Sequence, residues 1–196
     1  MASVVVDGLT LPISIGRHPA LDFCNTRAGW ENEVPKEYLR THAHLSVWAR
    51  ENGLVTASAV AEAERHPATA AAVLDRALVF RQALYQVFVR APREDDWETV
   101  DAEVRRAAAH ATLRPGAPVA TWALAVPDPL ELPLLAVAWA AANLLTTTPL
   151  ATISACPGDG CGWLFTDPRG RRRWCSMAIC GNRAKARRHT EKHRQP

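Results

Sequence analysis

Four cysteines in the last 41 residues fall into two like-spaced pairs, Cys156-x4-Cys161 and Cys175-x4-Cys180. Each short spacing lets one turn chelate with two thiolates, and two such turns complete a tetrahedral shell around one cation. That chemistry is structural, because four sulfur ligands leave no position for a reacting water. One Zn2+ is therefore the expected cofactor, held by Cys156, Cys161, Cys175 and Cys180, and no catalytic residue is expected. The fifth cysteine, Cys24, is left over and reads as a small core residue.

Basic residues crowd the same stretch. Residues 156–196 hold ten Lys or Arg against three Asp or Glu, a net +7, whereas residues 1–155 stand at −4. Four thiolates on one divalent ion contribute −2, which leaves the tail at +5. Charge segregated in this way points to a polyanion-binding end on an acidic body. The expected nucleic-acid contacts are Arg169, Arg171, Arg172 and Arg173 beside a turn, then Arg183, Lys185, Arg187, Arg188 and Lys192 on a helix. Arginine outnumbers lysine 20 to 3, which suits bidentate phosphate and guanine contacts. The bland alternative is a solvated helix whose arginines reflect codon bias.

A second polar group lies near the start of the chain: His18, Asp22, Asn25, Thr26 and Arg27, with Cys24 among them. These residues are the candidate lining of a small-molecule effector pocket. The competing reading is structural, with Asp22 and Asn25 tying a turn through side-chain-to-backbone bonds. His42 and His44 lie two apart and cannot share one helix face, which argues against a metal role for them.

The elements that must carry these groups follow from periodicity. Val4–Val6 and Leu11–Ile15 flank Asp7-Gly8 as a short hairpin or a pair of edge strands. Leu21–Thr26 reads as a strand or the start of a helix. Helical spacing then covers Tyr38–Asn52, Thr56–His66, Ala68–Arg90, Asp95–Ala111 and Asp128–Thr147. A second hairpin is expected around Pro115-Gly116, and a strand at Ala151–Ala155. Between the cysteine pairs, Gly162–Asp167 and Arg171–Trp174 flank a Pro-Arg-Gly turn and predict a hairpin, with a helix starting between Ser176 and Asn182. The fold class is α+β, a mainly helical domain over 1–150 and a small treble-clef-like zinc module over 151–196. The run Leu132–Leu145, broken by Pro133 and Asn143, is too short to span a bilayer. Met1–Asp7 has no signal-peptide pattern, so a cytoplasmic location with reduced thiols is expected.

The module's residues resemble a known family. Cys156-x4-Cys161-Gly162-Trp163-Leu164-Phe165-x-Asp167, followed by Arg171–Ala178-x-Cys180-Gly181-Asn182-Arg183-Ala184-Lys185-x-Arg187-Arg188, is similar to the CGNR zinc finger. Upstream, Gly16-x-His18-Pro19-Ala20-Leu21-Asp22-Phe23-x-Asn25-Thr26 resembles the opening signature of the ABATE domain that accompanies this finger. The one departure noticed is Cys24, where the family more often has an aliphatic residue. The resemblance implies a bacterial, stress-induced transcriptional regulator that binds DNA through the finger. Two other classes stay open: a scaffold whose finger docks a protein, and an RNA binder. Oligomeric state, operator and effector are not legible.

Overall fold

A computed structural model describes residues 2–192, with the Lys192 side chain outside the description. Asp7 and Gly8, both at positive φ (49° and 75°), turn β1 (Ser3–Val6) into β2 (Leu9–Pro12). Two adjacent positive-φ residues match the right-handed twist of such a hairpin. The segment whose type was open, Leu21–Thr26, is mostly helix: α1 runs Pro19–Cys24. Pro19 pre-sets φ at its start, and the His18 ring accepts the Ala20 N–H, 3.2 Å. β3 (Arg27–Ala28) and β4 (Lys36–Glu37) close the polar loop between them. That pairing delays α2, which begins at His42 and runs to Glu51.

α3 (Val60–Arg65) is short, and α4 (Pro67–Phe88) is the spine of the body. Its buried positions 70, 73, 74, 77, 80, 81, 84, 85 and 88 recur at helical spacing, and the helix packs against α1, α2, α3 and α5. Phe80 meets Phe23, which in turn meets Trp48, with ring centroids 5.9 and 5.6 Å apart. α5 (Glu94–Ala108) opens with Glu94, Asp95 and Asp96 and closes with Arg105 and Arg106, as the helix dipole favours. Arg76 of α4 forks onto Glu103 of α5 and also reaches Glu131, 2.7–3.0 Å. β5 (Ala111–Arg114) and β6 (Thr121–Leu124) form the expected second hairpin, and α6 (Leu132–Thr147) is the apolar helix behind the core. No helix among the described residues is long and apolar enough to cross a membrane.

The C-terminal module departs from expectation in its strand pairing. β8 (Leu164–Thr166) pairs with β7 (Ile153–Ala155), upstream of the first cysteine, and not with residues 171–174. The reason is local. The Asp167 carboxylate accepts the N–H groups of Arg171 and Arg172 at 3.0 and 2.8 Å, and Gly170 turns at φ 61°. Those bonds curl the chain away from β8. The hairpin therefore encloses Cys156 and Cys161 as a knuckle. After Ser176 a π-helical turn (Met177–Gly181) leads into α7 (Asn182–Lys192), where a helix was expected.

Candidate metal centre and basic surface

The knuckle sets the first two ligands. Cys156 N–H donates to Trp163 O at 2.8 Å and Cys161 N–H to Gly158 O at 2.9 Å. Gly158 packs tightly on the ligands: a Cβ there would lie 3.1 Å from Cys180 Sγ and 3.4 Å from Cys156 Sγ. The π-helical turn supplies the other pair, with Cys180 N–H on Ser176 O at 3.0 Å. All four cysteines are buried, their Sγ atoms lie within 4.8 Å of one another, and none is in a disulfide.

The donor set fits zinc. Tetrahedral Zn–S bonds of about 2.3 Å require sulfurs about 3.8 Å apart. Cys161–Cys175 and Cys175–Cys180 are separated by 3.6 and 3.5 Å. Sulfurs so close cannot all be ionised unaided. Contacts to Cys161 and Cys175 pull the Cys156 thiol down, whereas contacts to Cys156 and Cys161 push Cys175 far up. A divalent cation at the centre removes that conflict. Outside the cluster, Arg183 donates through Nη2 to Cys180 Sγ at 3.1 Å and offsets part of the thiolate charge.

Cys24 stands apart from this cluster, fully buried, and burial pushes its thiol far above the ordinary range. Its expected behaviour is inert. Iodoacetamide should leave Cys24 of the native zinc-loaded protein unmodified, and Cys24→Ala should cost only about 1–2 kcal/mol of stability. Mass spectrometry of the alkylated protein checks the first point and a urea titration the second. Rapid native labelling of Cys24 would contradict this placement.

Most of the N-terminal polar group is bonded within the fold, and Arg27 alone among the five nominated residues lines a groove, beside Glu37, Arg81 and Gln82. Asp22 Oδ1 accepts the N–H groups of Ile15 and Gly16, both at 2.8 Å, and burial raises its pKa against those bonds. Thr26 Oγ1 donates to Phe23 O at 2.6 Å and accepts from Arg81 at 2.8 Å. His18 caps α1, and its burial lowers its pKa. Arg27 reaches Gln82 at 3.2 Å and lies 4.8 Å from the centre of the Trp30 ring. Asn25, fully buried, donates to Leu164 O at 3.0 Å and accepts Leu164 N–H at 2.7 Å. The hydrogen-bonding atoms of His18, Asp22, Asn25 and Thr26 thus serve a helix cap, turns and the seat of the metal module.

Sequence reasoning missed that seat. Trp163 Nε1 donates to Arg27 O at 3.1 Å, Gly29 N–H to Cys161 O at 3.0 Å, and the Tyr85 hydroxyl to Gly162 O at 2.9 Å. Gly162 permits the last contact. It sits at φ 69°, and a Cβ there would lie 3.1 Å from both the Tyr85 hydroxyl and Trp30 Cβ. Trp30 stacks on Tyr85 with centroids 3.7 Å apart. Trp163, Phe165 and the four cysteines share a second small core with Ala28 and Tyr38 of the body. The buried Arg81 pairs with Glu37 beneath this seat.

The basic residues divide into two kinds. Arg172 is half-buried: it donates to Trp174 O, Cys175 O and Ile15 O and lies 4.4 Å from the centre of the Phe165 ring. It is a brace; Arg183 is exposed, yet it too is engaged, through its bond to Cys180 Sγ. Arg169, Arg171, Arg173, Lys185, Arg187 and Arg188 are exposed. Arg187 pairs with Asp159 at 3.1 Å in solvent, an interaction that a stronger anion can displace. The expected contact at Lys192 falls outside the described side chains.

Comparison with known families divides the chain at the same place as its chemistry. Residues 17–148 match the ABATE family, described as "Putative stress-induced transcription regulator". Residues 153–193 match the CGNR zinc finger. No curated protein matches the chain.

Proposed function

The chain belongs to the ABATE family and carries a CGNR zinc finger, and from that premise we propose that it is a DNA-binding transcriptional regulator without catalytic activity. The observation that carries the reading is the division of the arginines. Arg172 is half-buried and bonded to three backbone carbonyls, and Arg183, though exposed, is bonded to Cys180 Sγ, while Arg169, Arg171, Arg173, Lys185 and Arg188 are exposed and form no ion pair among the described residues. Unpaired cations on a rigid metal-folded surface are suited to phosphate contacts. Four sulfur ligands close the metal's shell, which speaks against chemistry there.

An effector, if the helical domain senses one, fits better away from the N-terminal polar group. A groove of about 390 Å³ lies between α2, α3 and α4, lined by His42, Val60, Ala63, Ala70 and Leu74, with Arg40 at its rim. Its largely apolar lining with few polar groups is the usual character of a small-molecule site.

The test is a salt series. Wild type should bind duplex DNA with log affinity falling linearly in log salt. Replacing Lys185, Arg187 and Arg188 by Ala should reduce that slope by about 0.9 for each phosphate contact removed, with zinc content unchanged. Fluorescence anisotropy on a labelled duplex, with structured RNA as competitor, measures both. Identical affinity and slope in the variant would move the finger to the protein-docking class, and preferential competition by RNA would move it to the RNA-binding class.

A further inference from the structure

We propose that the helical body itself grips the DNA backbone through Arg17, in a groove that the body and the finger build together. The inference rests on the DNA-binding reading and adds a contact outside the finger. The groove measures about 890 Å³ and is lined by Arg17 of the body and by Arg169, Arg171, Arg173 and Trp174 of the finger. Five arginines from two parts of the chain line it, among them the half-buried Arg172 already described as a brace. Arg17, Arg169 and Arg171 form no ion pair among the described residues, and Arg173 only stacks over Trp174, 5.1 Å from the ring centre. Asp167 is the acidic residue in the lining, and its two oxygens are occupied by the backbone N–H groups of Arg171 and Arg172.

Such a concentration of cations is unfavourable in the free protein. A polyanion relieves the repulsion, and an arginine fork matches phosphate oxygens.

Arg17 is also held in place. Its backbone adopts φ 67°, an uncommon conformation for a residue with a side chain. Both neighbours enforce it. The Gly16 carbonyl accepts Thr166 N–H of β8 at 3.4 Å, the Gly16 N–H is taken by Asp22, and His18 caps α1. Arg17 is thereby fixed in the frame of the finger, so that binding loses little freedom at its backbone. Arginines contributed by the body and by the Arg169–Arg173 turn suit a run of phosphates along a duplex rather than one isolated phosphate.

The experiment uses the full zinc-loaded chain and two variants. Arg17→Gly removes the charge and suits the left-handed backbone, so folding should be kept or improved. Arg17→Lys restores the charge. Affinities for a labelled duplex are measured from about 50 to 200 mM salt. Arg17→Gly should weaken binding about threefold to tenfold and lower the salt slope by about one, and Arg17→Lys should recover the slope. Unchanged affinity and slope in Arg17→Gly would overturn the inference while leaving the finger as DNA binder, as would weaker binding at an unchanged slope. Failure of wild type to bind duplex DNA at any salt would overturn the underlying reading instead.

Discussion

Stripping zinc with a strong chelator is expected to dismantle the finger, abolish DNA binding and leave most of the helical signal in place. Structural zinc in small modules contributes roughly 10–16 kcal/mol of apparent binding free energy, which becomes folding free energy where no preformed site survives. The module of some forty residues has Trp163 and Phe165 as its own fully buried aromatics. A core so small does not fold without its metal. The body differs, because Phe23, Trp48, Phe80 and Leu84 belong to a separate, larger cluster that contains no ligand. Far-ultraviolet circular dichroism should therefore fall modestly.

Near-ultraviolet signal and Trp163 fluorescence should change strongly, since that indole loses Arg27 O and its buried surroundings. The body should also lose stability, because Ala28 and Tyr38 lose the cover of the second core. Cys175→Ser should act in the same direction. Elemental analysis of the purified protein should give one zinc per chain. Less than about half an equivalent, or a near-ultraviolet spectrum indifferent to chelation, would refute the four-cysteine centre.

What the sequence made legible was what lies close together along the chain. Cys156-x4-Cys161 and Cys175-x4-Cys180 carry their chemistry in their spacing. α4 declares itself by apolar residues every three or four positions, and α5 by acids at one end and arginines at the other. The pairing of β8 was misjudged because the Pro168-Arg169-Gly170 turn after it carries a hairpin signal. The choice fell to Asp167, whose carboxylate holds the following N–H groups.

Long-range contacts left less trace. Nothing near Asn25 says that its partner lies 139 residues away. A buried amide bonded to backbone and an amide lining a ligand pocket read alike, as polar residues among apolar ones. Arg172 was grouped with the surface cations for the same reason, since composition does not distinguish a brace from a contact. One signal was available. Asn25 and Leu164 both belong to family-resembling motifs, and a helical domain that carries the same finger as its companion has reason to hold a seat for it.

Asn25→Ala is expected to cost about 3–5 kcal/mol and to loosen the finger from the body without releasing its zinc. In a two-stranded sheet the outer edge of β8 has no partner strand, and the Asn25 side chain stands in for one by pairing with both Leu164 backbone groups. Asn25 and Leu164 are fully buried, so water cannot replace the amide. Each polar group left unpaired in such a place costs about 1–3 kcal/mol, and the lost side-chain volume adds to that. Against a domain stability of roughly 5–15 kcal/mol the loss is a large fraction. The four ligands are held by the knuckle and the π-helical turn, which Asn25 does not touch, so zinc should stay bound. The groove shared by Arg17 and the finger should nevertheless lose its geometry, and DNA affinity should fall with it. Asn25→Asp should be no rescue, because it keeps the acceptor for Leu164 N–H but sets a second oxygen against the Leu164 carbonyl. Urea unfolding, zinc content and duplex affinity measured on the same samples separate these effects. A stability change below about 0.5 kcal/mol would place Asn25 among ordinary surface residues and remove the seat from the account.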